Sequence, residues 1–171
     1  SDVSPSLERA ERGGSLQPAE LLRIAGVLRC ARNIKAYVAE DDPETVLAAE
    51  KAGVGTVIPV SLGGKIVPKI TGGPICCTAY VKAITDGVNR LRGPMRRGSM
   101  RSFGKCALLQ IEGISVIVSS YRVQPFDLEI YRHFGIHPEE MKILVVKSAA
   151  HFRADFRSVA KQILDVLTPA E

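Results

Sequence analysis

The 171 residues suffice for one domain with a full hydrophobic core. With 46% hydrophobic and 24% charged residues the composition is that of a soluble globular protein, and no apolar run approaches membrane-spanning length, so no membrane partner is expected. The net charge of +5 is concentrated in Arg90, Arg92, Arg96, Arg97, Arg101 and Lys105, a run with one aromatic, Phe103; lacking stacking platforms, it argues against a nucleic-acid partner and for a solvated face or an anion contact.

Residues 1–16 read as a flexible lead-in with Pro5, Gly13 and Gly14, and contain no apolar stretch of the kind a secretory signal carries. Residues 17–171 read as a single α/β domain. Pro18 suits a helix start, and Leu21, Leu22, Ala25, Leu28 and Cys30 give an irregular helical stripe to residue 32. A strand over 34–39 follows. Asp42-Pro43 then opens a helix over 44–52, which Gly53 closes, and a strand covers 56–60. This strand–helix–strand order predicts a parallel pair with a crossover helix.

In the middle of the chain Gly63, Gly64, Gly72, Gly73 and Pro74 mark a loop. Ile75, Cys77, Ala79, Val81 and Ala83 alternate with Thr78, Tyr80 and Lys82, as in a half-buried strand, with 88–91 as its return partner. Residues 105–111 and 114–119, joined by Glu112-Gly113, predict a β-hairpin. A short helix over 128–134 ends at Gly135. A strand over 143–146 hands over to a helix with Phe152, Phe156, Val159, Ile163 and Leu167 on one face. The fold class is therefore α/β: a mixed sheet with parallel strand–helix–strand units at both ends and antiparallel hairpins between them.

Cys30, Cys76, Cys77 and Cys106 form no Cys-x-x-Cys pair, and adjacent Cys76 and Cys77 point to opposite faces of a strand. Their low density and apolar settings predict reduced core thiols and a cytoplasmic protein. His133 and His137 are four residues apart, but Gly135 and Pro138 break any common helix, so they read as surface residues.

The strand-to-helix junction is the leading candidate site. Ser148 is placed to cap the last helix, and free N–H groups at a helix start attract anions. Lys147, His151 and Arg153 lie within reach of that turn, and Asp155, one turn beyond His151, can orient its imidazole. A Ser–His–Asp triad is not supported, because no oxyanion hole is evident. A second candidate is Ser61-Leu-Gly-Gly-Lys65. Its spacing is not that of a P-loop; Gly63 and Gly64 either make a tight turn or let backbone N–H groups approach a ligand, with Lys65 as counter-charge.

Val145-Val-Lys-Ser148, with His151-Phe-Arg-Ala154 and Phe156, resembles the end of the C-terminal domain of the MlrC family, the microcystin-degradation and zinc metallopeptidase group. Ala52-Gly-Val-Gly55, Ser61-Leu-Gly-Gly-Lys65, Gly93-Pro-Met95, Ser119-Ser-Tyr-Arg-Val-Gln124 and Asp127-Leu-Glu-Ile-Tyr131 with Gly135-Ile136 and Pro138 stand in the family's order, over about residues 35–160. The sequence departs from the family pattern at Val67, where an Asp is usual, and at Arg96, where a Tyr is usual. The resemblance implies a domain that packs on a metal-bearing N-terminal domain and completes a cleft for a peptide or amide substrate. It implies zinc in that other domain and neither a metal ligand nor a catalytic residue in this chain. Lys147, Ser148, His151, Arg153, Gly63, Gly64 and Lys65 are then the expected substrate or anion contacts, with self-association left open. The alternative is a stand-alone, non-catalytic anion-binding or protein-interaction module.

Overall fold

The computed structural model describes residues 42–65, 73–148 and 150–165, together with Arg9. The helix expected over 18–32, the strand over 34–39 and nearly all of the lead-in lie outside the described residues.

Helix α1, Pro43–Ala52, begins as the sequence dictates. Asp42 accepts from the Thr45 N–H at 3.1 Å and the Thr45 hydroxyl at 2.9 Å, satisfying a first-turn donor. Proline fills the first helical position and Gly53, at φ 85°, ends the helix. Four strands then form one sheet in the order β1-β2-β5-β6: β1 Val57–Leu62, β2 Ile75–Thr85, β5 Cys106–Ile111 and β6 Ile114–Ser119. Strands β3, Val88–Arg90, and β4, Met100–Ser102, make a separate ribbon. Every pairing among the described residues is antiparallel. The parallel unit expected at the C-terminal end is corrected, because no strand forms over 143–146. The one expected at the other end needs the strand over 34–39, which lies outside the described residues; its second strand, β1, pairs antiparallel with β2.

The sheet carries a core on each face. Towards α1, Val46 and Ala49 meet Ile58, Val60, Leu62, Ala79, Val81, Ala107, Leu109, Val116 and Val118. On the other face Cys106, Leu108 and Ile117 meet Leu128, Ile130, Tyr131, Phe152 and Phe156. The last five belong to a layer built from helix α2, Glu129–Arg132, a 3-10 turn, Pro138–Glu140, and helix α3, Arg153–Phe156. A register shift between Val81 and Ala83 reverses the facing of β2. Before it Val81 opposes Leu109 in the α1 core; after it Ala83 opposes Leu108 in the second core. A bulge thus lets one strand serve both cores.

The hairpin at Glu112-Gly113 forms as expected, with Ile111 opposite Ile114 and Glu112 at φ 52°. The return partner expected for β2 does not form: β3 pairs with β4 instead. The turn after β2 explains this. Gly87, at φ 67°, lies so close to Gly104 that a Cβ would sit 1.9 Å from its carbonyl oxygen. The Phe103 N–H donates to the Gly87 carbonyl at 3.0 Å, so the chain leaves the sheet there as a ribbon.

Candidate functional site

Residues 143–148 cross the second core without a ladder. Ile143 is exposed, while Leu144 and Val146 rest against the aromatic cluster. The Val145 carbonyl is satisfied by the Tyr131 hydroxyl, which donates at 2.9 Å, in place of a strand partner. Ser148 does not cap a helix: α3 starts at Arg153, and the residue before it, Phe152, makes no capping bond. An N-terminal anion site built on that helix consequently has no basis, because four residues sum to little dipole.

The segment makes a different polar cluster. The Gln124 amide N–H donates to the Ser148 hydroxyl at 2.9 Å, and its carbonyl oxygen stands 3.2 Å from Nδ1 of His151. A neutral imidazole that donates from Nδ1 leaves the Nε2 lone pair free as an acceptor. His151 is exposed, so that lone pair is available to a ligand. The sequence placed Ser148 and His151 together but gave Gln124 no role. The signal was its place at the end of Ser119-Ser-Tyr-Arg-Val-Gln124, just after a strand.

Asp155 does not orient His151. One of its oxygens accepts from the Leu128 N–H at 2.7 Å. Beside it, buried Asp127 accepts from Gly93 N–H at 2.8 Å and from Glu129 N–H at 2.9 Å. Burial raises the Asp155 pKa; the Leu128 N–H opposes that and the Asp127 charge adds to it. A Cβ at Gly93 would lie 2.7 Å from the Asp155 carboxyl carbon, so glycine is required where this loop meets the two acids.

Of the other expected contacts, Lys147 adjoins this cluster, while Arg153 and Lys65 are engaged by carboxylates. Arg153 pairs with Asp165 and stacks over Phe152 at 5.2 Å. Lys147 is half-buried immediately before Ser148. Gly63 and Gly64 adopt left-handed angles of 63° and 62°, which make a turn. That turn delivers Lys65 to Asp42 at 2.7 Å and to Glu44 at 3.6 Å, at the start of α1 and on the opposite layer from Gln124. Of the basic run, Lys105 pairs with Glu50 and Arg92 with Glu129 at 3.5 Å. Arg96, Arg97 and Arg101 line a cleft of about 620 Å³ with Val123, the neighbour of Gln124, at its side.

His133 packs edge-on against Phe134 at 5.4 Å, and His137 is exposed. No group of three or more His, Cys, Asp or Glu side chains among the described residues is arranged to hold a metal ion. Cys106 is buried, but Cys76 is exposed on β2, which corrects the expectation that all the cysteines are core thiols; Cys30 lies outside the described residues.

A four-stranded antiparallel sheet with a layer on either side defines a mixed α/β domain. The chain belongs to the family described as the MlrC C-terminus, whose sequence profile matches residues 13–171. It is similar to Microcystinase C of Sphingomonas sp, 25% identical over 125 residues, covering 73% of this chain and 24% of that protein. Its fold is similar to that of a candidate metallopeptidase from Mesorhizobium sp. BNC1, with a TM-score of 0.64 at 23% identity over 70% of this chain and 24% of the other. The chain thus spans about a quarter of the length of each. A short stretch of 37 residues is 57% identical to Endonuclease MutS2 of Ruminiclostridium cellulolyticum, covering 22% of this chain and 5% of that protein.

Proposed function

We propose that this domain packs on the metal-bearing N-terminal domain of an MlrC-like zinc metallopeptidase or amidohydrolase and completes its cleft for a peptide or amide substrate. The observation that carries the reading is the family match over residues 13–171 in a chain that spans 24% of Microcystinase C. The water-activating zinc of such an enzyme belongs to the other domain. The contribution of this chain is to bind and orient. Gln124, Ser148 and His151 offer a hydroxyl, an amide and an imidazole lone pair from one surface, a set suited to a peptide group, which both donates and accepts. Lys147 adjoins this set, Arg153 would join it on leaving Asp165, and Gly63, Gly64 and Lys65 form a separate contact at the start of α1.

The test is a chimera in which this domain replaces the corresponding part of Microcystinase C. The chimera should hydrolyse its peptide substrate, while this chain alone should hold no stoichiometric zinc and give no turnover. Within the chimera, Gln124→Ala should raise KM about tenfold, the loss of one or two hydrogen bonds, and leave zinc content unchanged. Peptide hydrolysis by the isolated chain, or an unaltered KM in the variant, would overturn the reading.

The alternative of a stand-alone module without catalysis draws on the arginine-lined cleft. It predicts that ligand binding by the chain is complete without any second domain.

A further inference from the structure

We infer that the cleft between the β3–β4 turn and residue 123 is a binding site for a small organic oxyanion, a carboxylate or phosphate carried on a partly apolar body. Its lining is Arg96, Arg97, Ser99, Met100, Arg101, Ser102 and Val123. Three arginines, two serines, a methionine and a valine line one space of about 620 Å³, large enough for a ligand well beyond a single anion.

Three observations support the assignment independently. The first is charge. Among the described residues none of the three arginines has an ion pair, although Arg92, Arg132, Arg153, Lys65 and Lys105 each have one. No acidic residue lies between Gly87 and Lys105 in the sequence to supply one locally. Like charges crowded together repel, and an anion relieves that repulsion.

The second is Arg101. Its guanidinium lies over the Phe126 ring at 5.4 Å, while its Nε–H is buried and lacks an acceptor. A buried guanidinium donor left unmatched costs free energy, which an acceptor bound beside it would recover.

The third is the construction of the turn. Arg96 takes a φ of 57°, in the left-handed region that non-glycine residues avoid. The conformation is held by the Ser99 N–H and hydroxyl, which donate to the Arg96 carbonyl at 3.1 and 2.7 Å. Leu91 and Ser99 close the base of the turn, and Gly93 ties it to Asp127. A basic face that only kept the protein soluble would need none of this bracing. This inference does not depend on the metallopeptidase reading, because it concerns binding by the chain alone.

Isothermal titration and amide-resolved NMR of the full chain, with inorganic phosphate, citrate and a Glu-Glu dipeptide as separate probes, test it. At least one probe should bind saturably at one site, with shifts confined to 96–102 and 123. Arg101→Gln and the paired change Arg96→Gln with Arg97→Gln should each weaken binding about tenfold, and Lys51→Gln should not. Arg101→Lys, which keeps the charge but loses the planar donor fork, should weaken it too. The paired change lies on an exposed turn, so it remains informative if Arg101 variants fold poorly. Tighter binding of citrate or the dipeptide than of phosphate assigns a carboxylate ligand, and the reverse order assigns a phosphate. Non-saturable shifts, equal weakening by Lys51→Gln, or shifts centred on 147–151 would overturn the site.

Discussion

Asp155 sits where two elements meet, accepting the Leu128 N–H at 2.7 Å beside the carboxylate of Asp127. Burial, reinforced by Asp127 and opposed by the Leu128 bond, raises its pKa above the ordinary Asp value. A raised folded-state pKa means that the folded protein binds this proton more tightly than the unfolded chain. The group's favourable contribution is full below the unfolded value of about 3.9 and is lost as pH rises through the raised folded value. Asp155→Asn removes the charge and keeps an oxygen for Leu128. Its melting temperature at pH 7 should equal or exceed that of the unaltered protein, and the difference should shrink towards pH 3. Asp155→Ala leaves the Leu128 N–H without its acceptor and should cost about 1–3 kcal/mol at either pH. A loss of stability in Asp155→Asn that is larger at pH 7 than at pH 3 would mean that the charge itself stabilises this corner.

At the scale of elements, the second layer is held by side chains more than by backbone ladders. Tyr131 is the clearest case. Its ring is buried edge-on to Phe156 at 6.0 Å, and its hydroxyl donates to the Val145 carbonyl. Burial holds the phenol well above its usual pKa, so it remains a donor at any working pH. Tyr131→Phe should cost about 1 kcal/mol and speed amide exchange in residues 143–148, while the β5–β6 hairpin keeps its protection. Uniform loss of protection across both regions would show instead that the segment unfolds only with the whole domain. This dependence explains what was legible beforehand. Helix α1 carries its own signals in Asp42, Pro43 and Gly53, and the hairpin carries Glu112-Gly113 between alternating strands, so local chemistry settled both. Residues 143–146 look like a strand by composition, yet they pair with no described strand. Here a tyrosine takes the carbonyl first. The period of Phe152, Phe156 and Val159 suggested a long helix, but it reflects packing against one apolar face, and the regular helix ends at Phe156. The Ser148–His151 proximity was readable from spacing. Gln124 and the Gly93–Asp127 tie were not, since each spans more than twenty residues and depends on the tertiary fold.

At the scale of the molecule, the sheet is covered unevenly by the described residues. Strands β5 and β6 have a core on both faces, whereas β1 and the first part of β2 have one only towards α1, leaving Val57 and Tyr80 exposed. Three cysteines sample these environments and make the layering measurable. Cys76 lies on the bare face, Cys77 turns towards the α1 core, and Cys106 lies inside the second core. The Cys106 thiol approaches the Gly104 carbonyl at 3.3 Å, and burial followed by the charge of Asp86 pushes its pKa up to about 12. Burial, then Cys76 and Glu112, raise Cys77 as well. Since the thiolate is the reactive form, both effects act with access to favour Cys76. Under iodoacetamide at pH 8, with peptide mapping, Cys76 should be modified first, Cys77 more slowly, and Cys106 only after denaturation. Equal rates at Cys76 and Cys106 in the native protein would contradict the two-core arrangement. Cys76 labelling that slows as the protein is concentrated would instead mean that a second copy covers the bare face of β1 and β2. Slowing that appears only when a family N-terminal domain is added would mean that the sheet itself, and not just its loops, is the surface on which that domain docks.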